Sequence, residues 1–297
     1  MRTPEDYPVL LRVSANIVIF FILTYICMYL TLTGYGVISI RVEESIVSPT
    51  NGTSTPPPYH PDIVIYESQK SPENPLKVPY ILTAVFLAFL LVYVILKLDP
   101  KVLKWIIGLS MYVSSVYALR GIFHSLSIIY PIVLGFPLVA VIFYKNTPSE
   151  VKSALLAIVI GGIGALLGSM AYPILWVAIL TALVCYDVWG VYRGPIRHIS
   201  EEALRLEIPL LVKISVKEEE HLIGLGDYAL PMSFLASLMK YESVFYSFVS
   251  FVGFILGAII ALIIARRKGP QPGLLYIVPL GVVPYLILKF IITTCSI

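Results

Sequence analysis

Two aspartates stand in stretches of sequence where a charge is costly. Asp187 is the only charged residue in the forty between Lys152 and Arg193, and Asp227 is the only one between Glu220 and Lys240. An ionisable group at bilayer depth costs kilocalories and is retained where it works or is paired. Neither stretch holds a lysine or an arginine, so the partner each aspartate can find is the other. Two carboxyls brought together in low dielectric do not both ionise; they share a proton and titrate as a unit. Such a pair can act on a peptide group, one member as base toward a water and the other as acid toward the carbonyl.

The elements that must bring the two acids together are membrane spans. The 297 residues are 58% hydrophobic and 13% charged, about half the charge of a soluble domain. An all-α, polytopic membrane protein is expected. Windows long enough to cross a core about 30 Å thick fall at 10–32, 79–98, 102–119, 125–144, 153–170, 173–192, 222–239, 243–265 and 273–293, nine in all. The chain divides into an N-terminal part (1–192, spans 1 to 6), a cytoplasmic loop (193–221) and a C-terminal part (222–297, spans 7 to 9). The extracytoplasmic loop 33–78 turns polar and proline-rich from residue 41 and carries an Asn51-Gly52-Thr53 sequon. The first apolar run is too long for a signal-peptide core and is read as a retained helix.

Nine spans put the termini on opposite sides, and the basic residues choose between them. Fourteen fall in the N-terminus and even-numbered loops, among them Arg193, Arg197 and Arg266, against six in the odd-numbered loops and C-terminal end. The N-terminus is therefore expected in the cytoplasm and the C-terminus outside. Asp187 is six residues before Arg193 and Asp227 six residues after His221. On helical rise both acids lie roughly 9 Å in from the same side. Span 9 begins on that side with Gln271-Pro272-Gly273-Leu274, where proline and glycine interrupt helical hydrogen bonding beside the cavity. Gly224 and Gly226 next to Asp227 allow close helix approach and leave room for a peptide and a water.

Tyr186-Asp187, Gly224-Leu225-Gly226-Asp227 and Pro272-Gly273-Leu274 together resemble the Tyr-Asp, Gly-Leu-Gly-Asp and Pro-Ala-Leu motifs of the presenilin and signal peptide peptidase family. The predicted orientation is similar to presenilin, and the chain looks like a microbial, archaeal-type homologue. The resemblance implies an intramembrane aspartyl endopeptidase with Asp187 and Asp227 catalytic. It also implies that Tyr186, Gly224, Leu225, Gly226, Pro272, Gly273 and Leu274 are the motif residues around them. Gly273 stands where the family usually has alanine.

The remaining features have plainer readings. Leu211 to Lys217 alternates apolar and polar residues, the period of a strand. It is an ordinary cytoplasmic loop or, on the sharper reading, an edge strand in which Val212, Ile214 and Val216 pair with an unwound substrate. The family resemblance supports the sharper reading. Gly161, Gly162, Gly164 and Gly168 are expected to pack helices, and Lys289 to snorkel to the interface. The histidines form no HExxH and there is no Gly-x-Ser-Gly element, which removes zinc and rhomboid-type proteases. Cys27, Cys185 and Cys295 have neither disulfide nor metal spacing. No cofactor is expected. The expected partners are the bilayer, single-pass transmembrane helices as substrates and, in a homo-oligomer, further copies of the chain; nucleic acid is not among them. Compact loops and the lack of an organellar signal point to a microbial plasma membrane. The competing functions are an ion- or proton-conducting protein or transporter using the two acids, a prepilin-type peptidase sharing Gly-x-Gly-Asp, and a scaffold without turnover.

Overall fold

The computed structural model describes residues 6–37, 100–192, 211–216, 219–268 and 271–295. Eight helices are present among them: α1 (Asp6–Gly34), α2 (Pro100–Ile122), α3 (Ile129–Phe143), α4 (Ser149–Gly168), α5 (Pro173–Tyr192), α6 (Gly226–Tyr241), α7 (Val244–Lys268) and α8 (Leu274–Cys295). Six of them, α1, α2, α4, α5, α7 and α8, are long and apolar enough to cross a membrane. α3 and α6 have 15 and 16 residues. The span expected at 79–98, most of the loop 33–78 and residues 193–210 lie outside the described residues.

The helices follow from unbroken apolar runs, and the turns follow from proline. α4 ends at Gly168 and α5 opens with Pro173, a position where the missing N–H has no intrahelical partner to lose. Lipid is as apolar as leucine, so close packing in a membrane depends on small residues rather than on a hydrophobic drive. α4 is the post about which this is done. A Cβ added to Gly161 would lie 2.8 Å from the Cys27 Cβ of α1, and one on Gly162 would lie 2.4 Å from the Ser114 carbonyl oxygen of α2. On Gly164 it would lie 2.6 Å from the Met232 Cβ of α6, and on Gly168 2.2 Å from the Ser233 oxygen of the same helix. The expected packing role of this glycine run is therefore met by three different partners.

α7 and α8 use the same device. A Cβ on Gly257 would come 2.6 Å from the Ile277 Cα, and one on Gly253 only 2.0 Å from the Leu280 oxygen. Pro284, inside α8, has no N–H to offer the carbonyl four residues back. That carbonyl belongs to Leu280, and it turns toward the bare Gly253 backbone. The far end of α6 is tied to the α4–α5 turn. Ser237 donates to the Ala171 oxygen at 2.8 Å, and Lys240 and Tyr241 donate to the Ser169 oxygen at 2.6 and 3.1 Å.

One region departs from the expected helices. β1 (Leu211–Val216) and β2 (Glu219–Gly224) form an antiparallel hairpin, with Leu211 opposite Gly224 and Val216 opposite Glu219. β1 answers to the alternation seen in the sequence. β2 was expected to be the start of span 7, beginning at 222, and the expected 221/222 division of the chain falls inside it. Two glycines flank Leu225 and weaken any helix there, while pairing with β1 satisfies the backbone of β2. The helix accordingly starts at Gly226. The helical-rise estimate for the depth of Asp227 fails with it, since residues 219–224 advance as a strand.

Lys289 also differs from expectation. It does not merely snorkel but forms an ion pair with Glu242 at the end of α6. Its ammonium also donates to the Tyr285 hydroxyl at 3.1 Å, and that hydroxyl donates to Glu242 at 3.2 Å.

Candidate active site

Three chain segments distant in sequence meet at the ends of α5, α6 and α8. Asp187 lies on the last turns of α5. Asp227 lies in the first turn of α6, three residues after β2 ends, so the hairpin delivers it almost directly. The third segment is Pro272-Gly273-Leu274. Helical bonding begins at the Gly273 carbonyl, which accepts from Tyr276 and Ile277 N–H at 3.2 Å each. The first N–H groups of a helix have no partner within it. The Leu274 N–H finds one in another helix and donates to Asp187 Oδ2 at 3.1 Å.

The neighbouring Gly273 touches the other acid. A Cβ placed on it would lie 2.8 Å from Asp227 Oδ2 and 3.3 Å from its Cγ. The 273–274 peptide is thus bracketed, with its N–H on Asp187 and its bare Cα against Asp227. Both carboxylates therefore lie against the same peptide. Both are half-buried, Pro272 is buried, and Leu274 is 6% exposed. The start of α8 is therefore anchored on both sides of Gly273.

The glycines of the Gly-Leu-Gly-Asp run do half of what was expected. A Cβ on Gly224 would make ordinary contact with Asp227 Oδ2 at 3.6 Å, and one on Gly226 would meet nothing within 4 Å. Neither glycine is enforced by helix packing, but Gly226 is exposed and leaves open space next to Asp227. Leu225 packs against the core. Tyr186 is half-buried, with its ring 6.0 Å from that of Trp189 one turn on. Val212, Ile214 and Val216 sit in β1 opposite Ile223, His221 and Glu219.

Residues to which sequence reasoning gave no part in the site hold this arrangement. Tyr228, next to Asp227, is 1% exposed, with its ring 4.6 Å from both Phe20 and Phe21 of α1. It fixes the first turn of α6 against α1. Glu242, Tyr285 and Lys289 clamp α6 to α8 at the end away from the acids. No local pattern marks either group, although an acid and a lysine at the ends of two apolar runs were a usable hint.

The sequence model of one protein family, described as signal peptide peptidase, matches residues 8–293. Two solved structures, each described as a presenilin family intramembrane aspartate protease, are similar in fold. One has a TM-score of 0.62 at 16% identity and covers 92% of this chain and 97% of that one. The other has a TM-score of 0.61 at 14% identity, covering 92% and 95%. Among curated proteins no sequence matches.

Proposed function

Because the chain belongs to the signal peptide peptidase family and is a multi-pass membrane protease, we propose that it hydrolyses peptide bonds within transmembrane helices, with Asp187 and Asp227 as its catalytic pair. The observation that carries this reading is the bracketing of one backbone segment by both carboxylates, with Leu274 N–H on Asp187 and the Gly273 Cα against Asp227. In the proposed reaction the two acids share one proton. One takes a proton from water as the water attacks the scissile carbonyl; the other gives its proton to the carbonyl oxygen. The resulting gem-diol collapses when the amide nitrogen is protonated and the C–N bond breaks. Leu274 N–H holds Asp187 in place throughout, and the open space beside Gly226 receives the substrate backbone. The excess of basic residues on one side supports a cytoplasmic site, an N-terminus in the cytoplasm and a C-terminus outside.

A helical substrate hides its amides, so it must unwind before it reacts, and its freed backbone groups then need partners. The hairpin that leads into Asp227 is suited to supply them by strand addition. Proline at Ile214 removes a ladder donor and is expected to slow cleavage while the fold persists; cleavage at the normal rate would discount the strand. The central test uses the purified chain in liposomes with a panel of single-pass transmembrane peptides. Asp187→Ala and Asp227→Ala should each abolish cleavage without unfolding the protein. Ion flux lost with either acid, in the absence of any proteolysis, would favour a transporter instead.

A further inference from the structure

Three glycines surround Asp227, and they are not equivalent. Gly226 has open space where a Cβ would go and Gly224 has room for one. Gly273 alone has none, because its Cβ would stand 2.8 Å from Asp227 Oδ2. The nature of that neighbour matters. At Gly168 and Gly253 a Cβ would strike a backbone carbonyl oxygen, so whole helices would have to move. At Gly273 the atom that must yield is the end of a side chain, which costs the fold little. The peptide itself cannot retreat easily: Pro272 is buried with its φ fixed, and Leu274 N–H is bonded to Asp187. The displacement therefore falls on the Asp227 carboxylate.

We propose that Gly273 is a positioning residue for the Asp187–Asp227 pair, left without a side chain so that the Asp227 carboxylate can sit against the 273–274 peptide. The proposal rests on the catalytic reading above. It also inverts what the family resemblance suggests, since restoring the usual alanine should impair this chain. Catalysis depends on reacting groups held to within about an ångström, and a misplacement of that size can cost about a hundredfold.

The experiment compares wild type, Gly273→Ala, Gly226→Ala, Asp227→Ala and the Gly273→Ala/Asp227→Ala double variant, all as full chains in liposomes with one transmembrane reporter peptide. Gly273→Ala should lower kcat by about tenfold to a hundredfold, leave KM nearly unchanged and alter the width of the pH–rate profile. Gly226→Ala should do the reverse, raising KM with kcat largely kept. Any loss of thermal stability in Gly273→Ala should vanish in the Asp227→Ala background, because the colliding carboxylate is gone. Wild-type kinetics in Gly273→Ala, or a stability loss that persists without Asp227, would overturn the proposal. Cleavage surviving Asp227→Ala would instead overturn the catalytic reading.

Discussion

The two helices that carry the acids are built in opposite ways. α6 buries ten consecutive or near-consecutive residues, Tyr228 and Pro231 to Met239. It lies on the glycine face of α4, with its far end tied to the α4–α5 turn by Ser237, Lys240 and Tyr241. α5 is buried only over its first half, through Leu175, Trp176, Ile179, Leu180 and Leu183. From Val184 to Val191 only Gly190 is buried, and Asp187 lies in this looser half. What reaches across to it is the Leu274 N–H at the start of α8. Asp227 is thus held by its own helix, whereas Asp187 is held by a neighbour. A pair built this way has one fixed member and one placed by a third element, and the unclad half of α5 leaves a side of the site uncovered by the described helices.

The largest effects test whether both members matter equally to the chemistry. Asp187→Ala and Asp227→Ala should each reduce cleavage of a reporter helix to background, although only Asp227 lies on a tightly packed helix. Activity surviving in either variant would break the symmetry the mechanism requires. Packing should then separate the two helices. Gly168→Leu drives a side chain into the Ser233 carbonyl and should cost about 3 kcal/mol or more in unfolding measurements. Ala182→Leu, on an exposed face of α5, should stay within about 0.5 kcal/mol of wild type. A similar cost at both positions would contradict the comparison.

Hydrogen exchange sharpens it further. Amides of 184–192 should exchange well before those of 228–239, since local opening is easiest where few contacts are broken; equal protection would remove the distinction. The smallest effect is expected at the far end. A double-mutant cycle between Glu242→Gln and Lys289→Met should give a coupling of about 1 kcal/mol, because both side chains keep solvent or interface contact. A coupling near zero would mean that Tyr285 packing alone joins α6 to α8 there.

The site was more legible than the fold around it. Asp187 and Asp227 stood out because charge is expensive in apolar sequence, and Pro272 and Gly273 because they interrupt a helix. Tyr228 and Glu242 did not stand out, and Lys289 suggested only snorkelling, since their meaning depends on partners in other helices, Phe20 and Phe21 for Tyr228 and Lys289 for Glu242. The start of span 7 was misplaced for a related reason. Leu222 and Ile223 run on into the apolar stretch of span 7 and so were counted as helix, and pairing with β1 makes them a strand.

Composition and charge placement by themselves determined a helical membrane protein with two acids that had to find each other, because both depend on the cost of leaving water. Tertiary structure decided what the acids enclose. It set the 273–274 peptide between them, gave Asp187 a partner from α8 and left no space for a Cβ at Gly273. Those outcomes depend on atom positions within a few tenths of an ångström, which arise from packing among segments far apart in the chain.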